Sequence, residues 1–225
     1  EEVGKEGTIV VKGSNSNKDK IEIVEGIQFN QGYVTPFFIT NPQKSTVEFQ
    51  DTDEVGVLIY NGKITSVVTV KPILDAMFNF QKPVLLICEA LEGEALTTTI
   101  VNKNRGTIRP CAVKTPFYGH KRIEFLNDIA VMTGGKVLTP EHEVKDMKPD
   151  EIKNNFLGKC KGVVVEENQT TIIDGLGAKK EIEDRILYIK DHLQKAVREN
   201  KAINEINELQ KRLGQLTGKV AVIHI

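Results

Sequence analysis

The 225-residue chain carries 30 basic and 31 acidic residues, a net charge of −1, so it lacks the electrostatic footprint of a generic module for nucleic acid or an anionic membrane surface. Its composition, 40% hydrophobic and 27% charged, is globular and far from the disordered class, and no run approaches the ~18 uninterrupted apolar residues of a membrane helix. Cys88, Cys111 and Cys160 show no paired spacing, which argues against a zinc site or disulfide framework and for a reducing compartment. Glu1-Glu2 opens the chain with neither a signal peptide nor a start methionine, which reads as a piece of something longer.

In chain order, TIVVK (Thr8 to Lys12) predicts a short strand and Gly13 to Lys20 an exposed turn rich in Gly, Ser and Asn. Ile21 to Val24 alternates like a strand. Val55 to Tyr60 and Ile64 to Val70 flank Asn61-Gly62-Lys63, a hairpin signal. Pro72 fits the first turn of a helix reaching about Phe80, Val84 to Cys88 reads as a buried strand, and Glu92 to about Asn104 as a second helix stopped by Gly106. A strand at Ile108 to Val113 follows, then a helix near Lys121 to Met132 closed by Gly134-Gly135, then short strands near Val137, at Gly162 to Val165 and at Thr170 to Ile173. Apolar residues from Ile182 to Val197 and from Ile203 to Leu216 recur at helical spacing, predicting an antiparallel helical hairpin joined near Glu199-Asn200. Val220 to Ile225 ends the chain as a strand, so the two terminal strands could run side by side, as in a domain inserted into another. The pattern as a whole predicts a mixed α/β fold, β-sheet flanked by helices.

Sites for common chemistries do not assemble. Gly135-Lys136 lacks the following Ser or Thr of a phosphate loop, and Asp174-Gly175-Leu176-Gly177 lacks the third glycine of a dinucleotide fingerprint. His120, His142, His192 and His224 are scattered without metal-ligand spacing, and none of the four serines sits in a nucleophile elbow. Asn168-Gln169-Thr170 matches a glycosylation sequon by chance. The middle helices are unusual instead. Ile73, Met77 and Phe80 make one core stripe, with Leu74 and Phe78 on a second; Leu96 and Ile100 form an i, i+4 pair, with Val101 ~100° away and Ala95 on another face. Periodicity leaves two readings open, a shared exposed hydrophobic groove or helices sandwiched between sheet and hairpin. Tyr33, Phe37 and Phe38 around Pro36 are likewise either exposed anchors or core plugs beneath a loop.

The runs Glu25 to Ile39, Lys82 to Gly106, Asp128 to Gly135, Thr170 to Gly175 and Gly218 to Ile225 resemble, in order and across nearly the whole chain, the apical domain of group I chaperonins, the GroEL family. The resemblance implies a chaperonin apical-domain-like fold over residues 25–217, with 1–24 and 218–225 as end segments of the intermediate domain. It implies a module that binds non-native polypeptides, and in competition the mobile loop of a GroES-like co-chaperonin, through Tyr33, Phe37, Phe38, Lys71, Leu74, Leu96, Ile100, Val101, Asn102 and Arg105, with Glu94 able to pair with Arg105. It implies no catalysis, cofactor or ATPase activity in this fragment; ATP and Mg belong to the equatorial domain of a full-length, homo-oligomeric protein of heptameric rings. Lys71 stands where the family usually has leucine, Thr99 where it has an aliphatic, and Phe117 and His120 replace a Gly and an Asp. Lys71 is expected to shift client preference toward acidic segments. These departures, with lysine exceeding arginine 24 to 6, favour a mitochondrial or plastid interior over a bacterial cytoplasm. The reading from another class is an α/β nucleotide-dependent enzyme whose site carries no recognisable motif.

Overall fold

The computed structural model describes residues 8–12, 20–50 and 54–224; of the predicted turn from Gly13 to Lys20, only Lys20 lies within them. The elements are β1 (Thr8–Lys12), β2 (Lys20–Phe29), a 3₁₀ turn at Pro36–Phe38, β3 (Val47–Phe49), β4 (Val55–Ile64), α1 (Val67–Phe80), β5 (Val84–Leu91), α2 (Gly93–Asn104) and β6 (Pro110–Lys114). Next come α3 (Gly119–Thr133), β7 (Val137–Leu138), 3₁₀ turns at Pro140–His142 and Val144–Asp146, α4 (Pro149–Asn155), β8 (Gly158–Val165), β9 (Thr170–Gly175), α5 (Lys179–Arg198), α6 (Ile203–Leu216) and β10 (Lys219–His224). Among the described residues the strands join in the order β1-β10-β2-β9-β8-β4-β5-β6, with β3 added to β8 and β7 to β4.

The strands β7, β4, β5 and β6 are parallel neighbours, and parallel neighbours need covered faces. That is why Val57, Leu58, Ile59, Leu85, Leu86 and Ile87 form continuous buried runs rather than alternating ones. The β4-α1-β5 and β5-α2-β6 crossovers step in the same direction across the sheet, so the right-handed rule puts α1 and α2 on one face. The connection from β6 to β7 steps back, which places α3 on the other face, where it meets α5 and α6. Helices therefore cover both sides of a mixed sheet, and α5 and α6 pack together as the predicted hairpin. β1 and β10 lie side by side in parallel, and β10 continues into an antiparallel pairing with the first half of β2.

One local expectation fails. Asn61-Gly62 does not turn the chain: β4 runs straight through it, with a register irregularity between Tyr60 and Lys63. The space beside Gly62 is taken by the Tyr60 ring and Pro140, 2.9 and 3.2 Å from where a Cβ would stand, so the glycine answers a close approach rather than a turn. Val67 to Val70 then open a helix instead of a second strand. The Ser66 hydroxyl accepts from the Thr69 N–H (3.4 Å) and caps it, and Pro72 lies inside the helix rather than in its first turn. Burial of one face outweighs the β-branched composition of that turn. β3 and α4 also lie beyond the elements read from the sequence.

All three cysteines are buried and unpaired. Burial pushes the Cys88 and Cys160 thiols up to about 12 and raises Cys111 as well. The folded protein at pH 8 should therefore resist iodoacetamide at all three positions and take up three equivalents once unfolded; labelling of the native state would show that one of these strands opens.

Candidate functional site

The two middle helices owe their apolar excess to their place on the sheet. At ~100° per residue, the core face of α1 is Val70, Ile73 and Met77, all buried. Its flank toward α4 is fixed by Asn79, whose Nδ2 donates to Asp150 Oδ1 at 3.0 Å, and by Pro72 and Ala76, which are buried there. The opposite flank, the one a right-handed crossover turns toward α2, carries Val67, Lys71, Leu74 and Phe78. Leu74 is only 6% exposed, whereas Val67, Lys71 and Phe78 are open to solvent. Thus the α1 side of the furrow has a buried floor at Leu74 and an exposed rim.

The same reasoning splits α2. Its core face is Ala95 and Thr99, both fully buried; the Thr99 hydroxyl donates to the Ala95 carbonyl at 2.8 Å, so a threonine sits at this depth without an orphaned polar atom. At ~100° per residue Thr98, Asn102 and the 39% exposed Val101 share one flank, and half-buried Leu96 and Ile100 the other; a right-handed crossover turns the first flank toward α1 and the second toward the edge strand β6. The Tyr33-to-Phe38 segment runs along that edge: Val34 N–H donates to the Ala112 carbonyl at 2.9 Å, and Tyr33 bridges Val113. Thr35 caps the 3₁₀ turn, which turns Phe38 fully into the core and leaves Phe37 66% exposed. Of the two readings open for these aromatics, Phe38 takes one and Phe37 the other.

On that placement nine of the ten candidate residues divide between the two flanks of α2, each flank taken as one furrow. Lys71, Leu74, Val101 and Asn102 go to the α1 side, and Leu96, Ile100, Tyr33 and Phe37 to the β6 side, with Phe38 buried beneath them in the core. Arg105 is the exposed C-cap of α2. The Glu94–Arg105 pairing does not form, because eleven residues separate them, about 16 Å along a helix. Asn102 is occupied locally, its Nδ2 donating to the Thr98 carbonyl at 2.9 Å and its Oδ1 accepting from Thr107 at 3.3 Å. Lys71 is already paired, its Nζ 2.6 Å from Asp75 Oδ2, which weakens the expectation of a bare cation seeking acidic clients. Val67 and Val68 are exposed apolar residues on α1 outside the candidate site, hidden in the sequence by the strand-like look of Ile64 to Val70; Phe78, on the second apolar stripe with Leu74, is exposed as well.

The other candidates resolve into packing. A Cβ on Gly175 or Gly177 would stand 2.3 Å from the Met132 carbonyl oxygen or 2.1 Å from that of Val131, and one on Gly135 would stand 2.7 Å from the Gly158 nitrogen. These glycines let the chain after β9 close onto the end of α3. The His142 Nδ1 accepts from the Thr139 N–H at 3.0 Å, His192 bonds the Tyr188 carbonyl, and the side chain of His224 lies outside the described residues. The Thr170 hydroxyl of the sequon donates to the Gln31 carbonyl at 2.6 Å. Phe117 packs edge-on against Phe125, ring centres 5.3 Å apart. No group of three or more His, Cys, Asp and Glu among the described residues could hold a metal, and no described helix is long and apolar enough to cross a membrane. A cleft of about 560 Å³ between the start of α3 and the α5–α6 hairpin is lined by charges of both signs, the paired Lys121 and Glu208 among them. No family model matches the chain.

Proposed function

We propose that this chain is a polypeptide-binding module, a chaperonin apical-domain-like unit that captures extended or partly folded segments in the furrows flanking α2. The observation that carries this reading is the exposure of Phe37, Val101, Val67 and Phe78 on two neighbouring helices and an adjoining aromatic segment. Scattered exposed apolar residues are ordinary; a set gathered along one helix pair is a docking surface.

The energetics suit loose, repeated capture. Each side chain contributes at most ~1.5–3 kcal/mol when buried, and the bound segment loses conformational freedom, so one furrow binds weakly. In rings of such domains, as in the chaperonins the sequence resembles, effective concentration turns weak sites into tight capture. Apolar contact asks only for exposed hydrophobic sequence, which is what non-native chains present. The mobile loop of a GroES-like co-chaperonin would compete for the same surface, and ATP and Mg would act in the equatorial domain of the full protein, within an organelle in keeping with the sequence bias. This unit then performs no chemistry of its own.

The test is competition. A labelled peptide copying a co-chaperonin mobile loop should bind the chain and be displaced by a reduced, unfolded protein, with no thermal stabilisation by ATP. Absence of both binding and displacement would overturn the reading, and stabilisation by ATP would favour a nucleotide-dependent enzyme.

A further inference from the structure

Resting on that reading, we infer that Asp75 sets the charge preference of the α1–α2 furrow by balancing the charge of Lys71 on its rim. Lys71 lies on the furrow rim of α1, and Asp75, one turn on, is ~40° further round toward the outward crest of the helix. The 2.6 Å contact between Lys71 Nζ and Asp75 Oδ2 sets a carboxylate beside the ammonium while both side chains stay exposed, 69% and 43%, so the charged head is balanced in water above an apolar stem. A second carboxylate belongs to the same side: Glu94, exposed in the first turn of α2, is placed by helical spacing on the flank that a right-handed crossover turns toward α1. A leucine-like surface at Lys71 thus coexists with a locally balanced charge, and the occupant that fits is an apolar segment that is neutral where it crosses this rim.

An acidic residue in the ligand would gain attraction to Lys71 and lose as much to Asp75 and Glu94. Removing the Asp75 carboxylate breaks the balance. The experiment compares the affinity of one apolar peptide, carrying Gln or Glu at each position in turn, for the parent chain, Asp75→Asn, and Asp75→Asn combined with Lys71→Leu. The parent should bind every Gln/Glu pair within about twofold. Asp75→Asn should favour Glu at one or two positions by about two- to fivefold, the range of an exposed charge pair, and lose that preference in high salt. The double variant should show none. A parent that already favours Glu by that factor, or an Asp75→Asn chain that never does, overturns the inference. If no peptide of either kind binds the parent, the furrow reading itself fails first, and the two failures are distinguishable.

Discussion

Asp128→Asn should cost about 3–5 kcal/mol of stability, the range for breaking a buried ion pair from one side. Asp128 is the hub between the two halves of the outer helical layer. Its Oδ1 accepts from Arg185 Nε at 2.7 Å and its Oδ2 from Arg212 Nε at 2.7 Å, while Glu124, one turn earlier on α3, accepts from both guanidinium groups at 3.0 and 2.9 Å. Arg185 comes from α5 and Arg212 from α6, so a single α3 carboxylate fastens both helices of the hairpin. Burial alone would push the Arg212 guanidinium down; Asp128 and then Glu124 overcome that and hold it above its ordinary value. Losing the Asp128 charge leaves two arginines facing one glutamate in a site where Asp128 is 2% exposed. The urea midpoint should fall in proportion with an unchanged slope. A loss under about 1 kcal/mol would mean that the network is as weak as an exposed one.

This network was invisible in the sequence, and the reason is physical. Arg185 and Arg212 sit on amphipathic helices where a charged residue ordinarily marks the solvent face; only their meeting with Asp128, 57 and 84 residues away in sequence, shows that they point inward. The buried strand at Val84 to Cys88 was legible because a strand buried on both faces must be continuously apolar, and the ends of α2 and α3 were legible because Gly106 and Gly134 supply the left-handed backbone that stops a helix, φ 72° and 73°. The Asn61-Gly62 hairpin failed because a local turn propensity was read where burial decides. The start of α4 does carry a local signal, Pro149 followed by Asp150 and Glu151. For the site, periodicity showed that α1 and α2 have too many apolar faces. It could not show that Leu96 and Val101 serve opposite flanks of α2, since that needs the strand order and the hand of the crossover.

That division makes the strongest functional prediction specific. Phe37→Glu and Val101→Glu each change an exposed side chain, one in each furrow, so each should leave stability within about 0.5 kcal/mol of the parent. Each should nevertheless weaken binding of an unfolded client about tenfold, because at least ~1.4 kcal/mol of apolar contact is lost and a carboxylate must be desolvated. Leu96→Glu and Ile100→Glu should abolish binding, but as half-buried positions they also test packing, with Leu96 set against the core; circular dichroism must show an intact fold before their result counts. If one extended segment spans both furrows, the Phe37 and Val101 effects multiply to about a hundredfold in the double variant. If the furrows hold separate segments, the double variant loses no more than the sum of two partial sites, and short peptides divide into those sensitive to Phe37 and those sensitive to Val101. Leu187→Glu on α5, which removes an equally exposed apolar residue from the other face of the sheet, with Leu187 62% exposed, is the control: it should bind like the parent. Equal losses for Leu187→Glu and Phe37→Glu would show general surface stickiness and remove the furrows from the explanation.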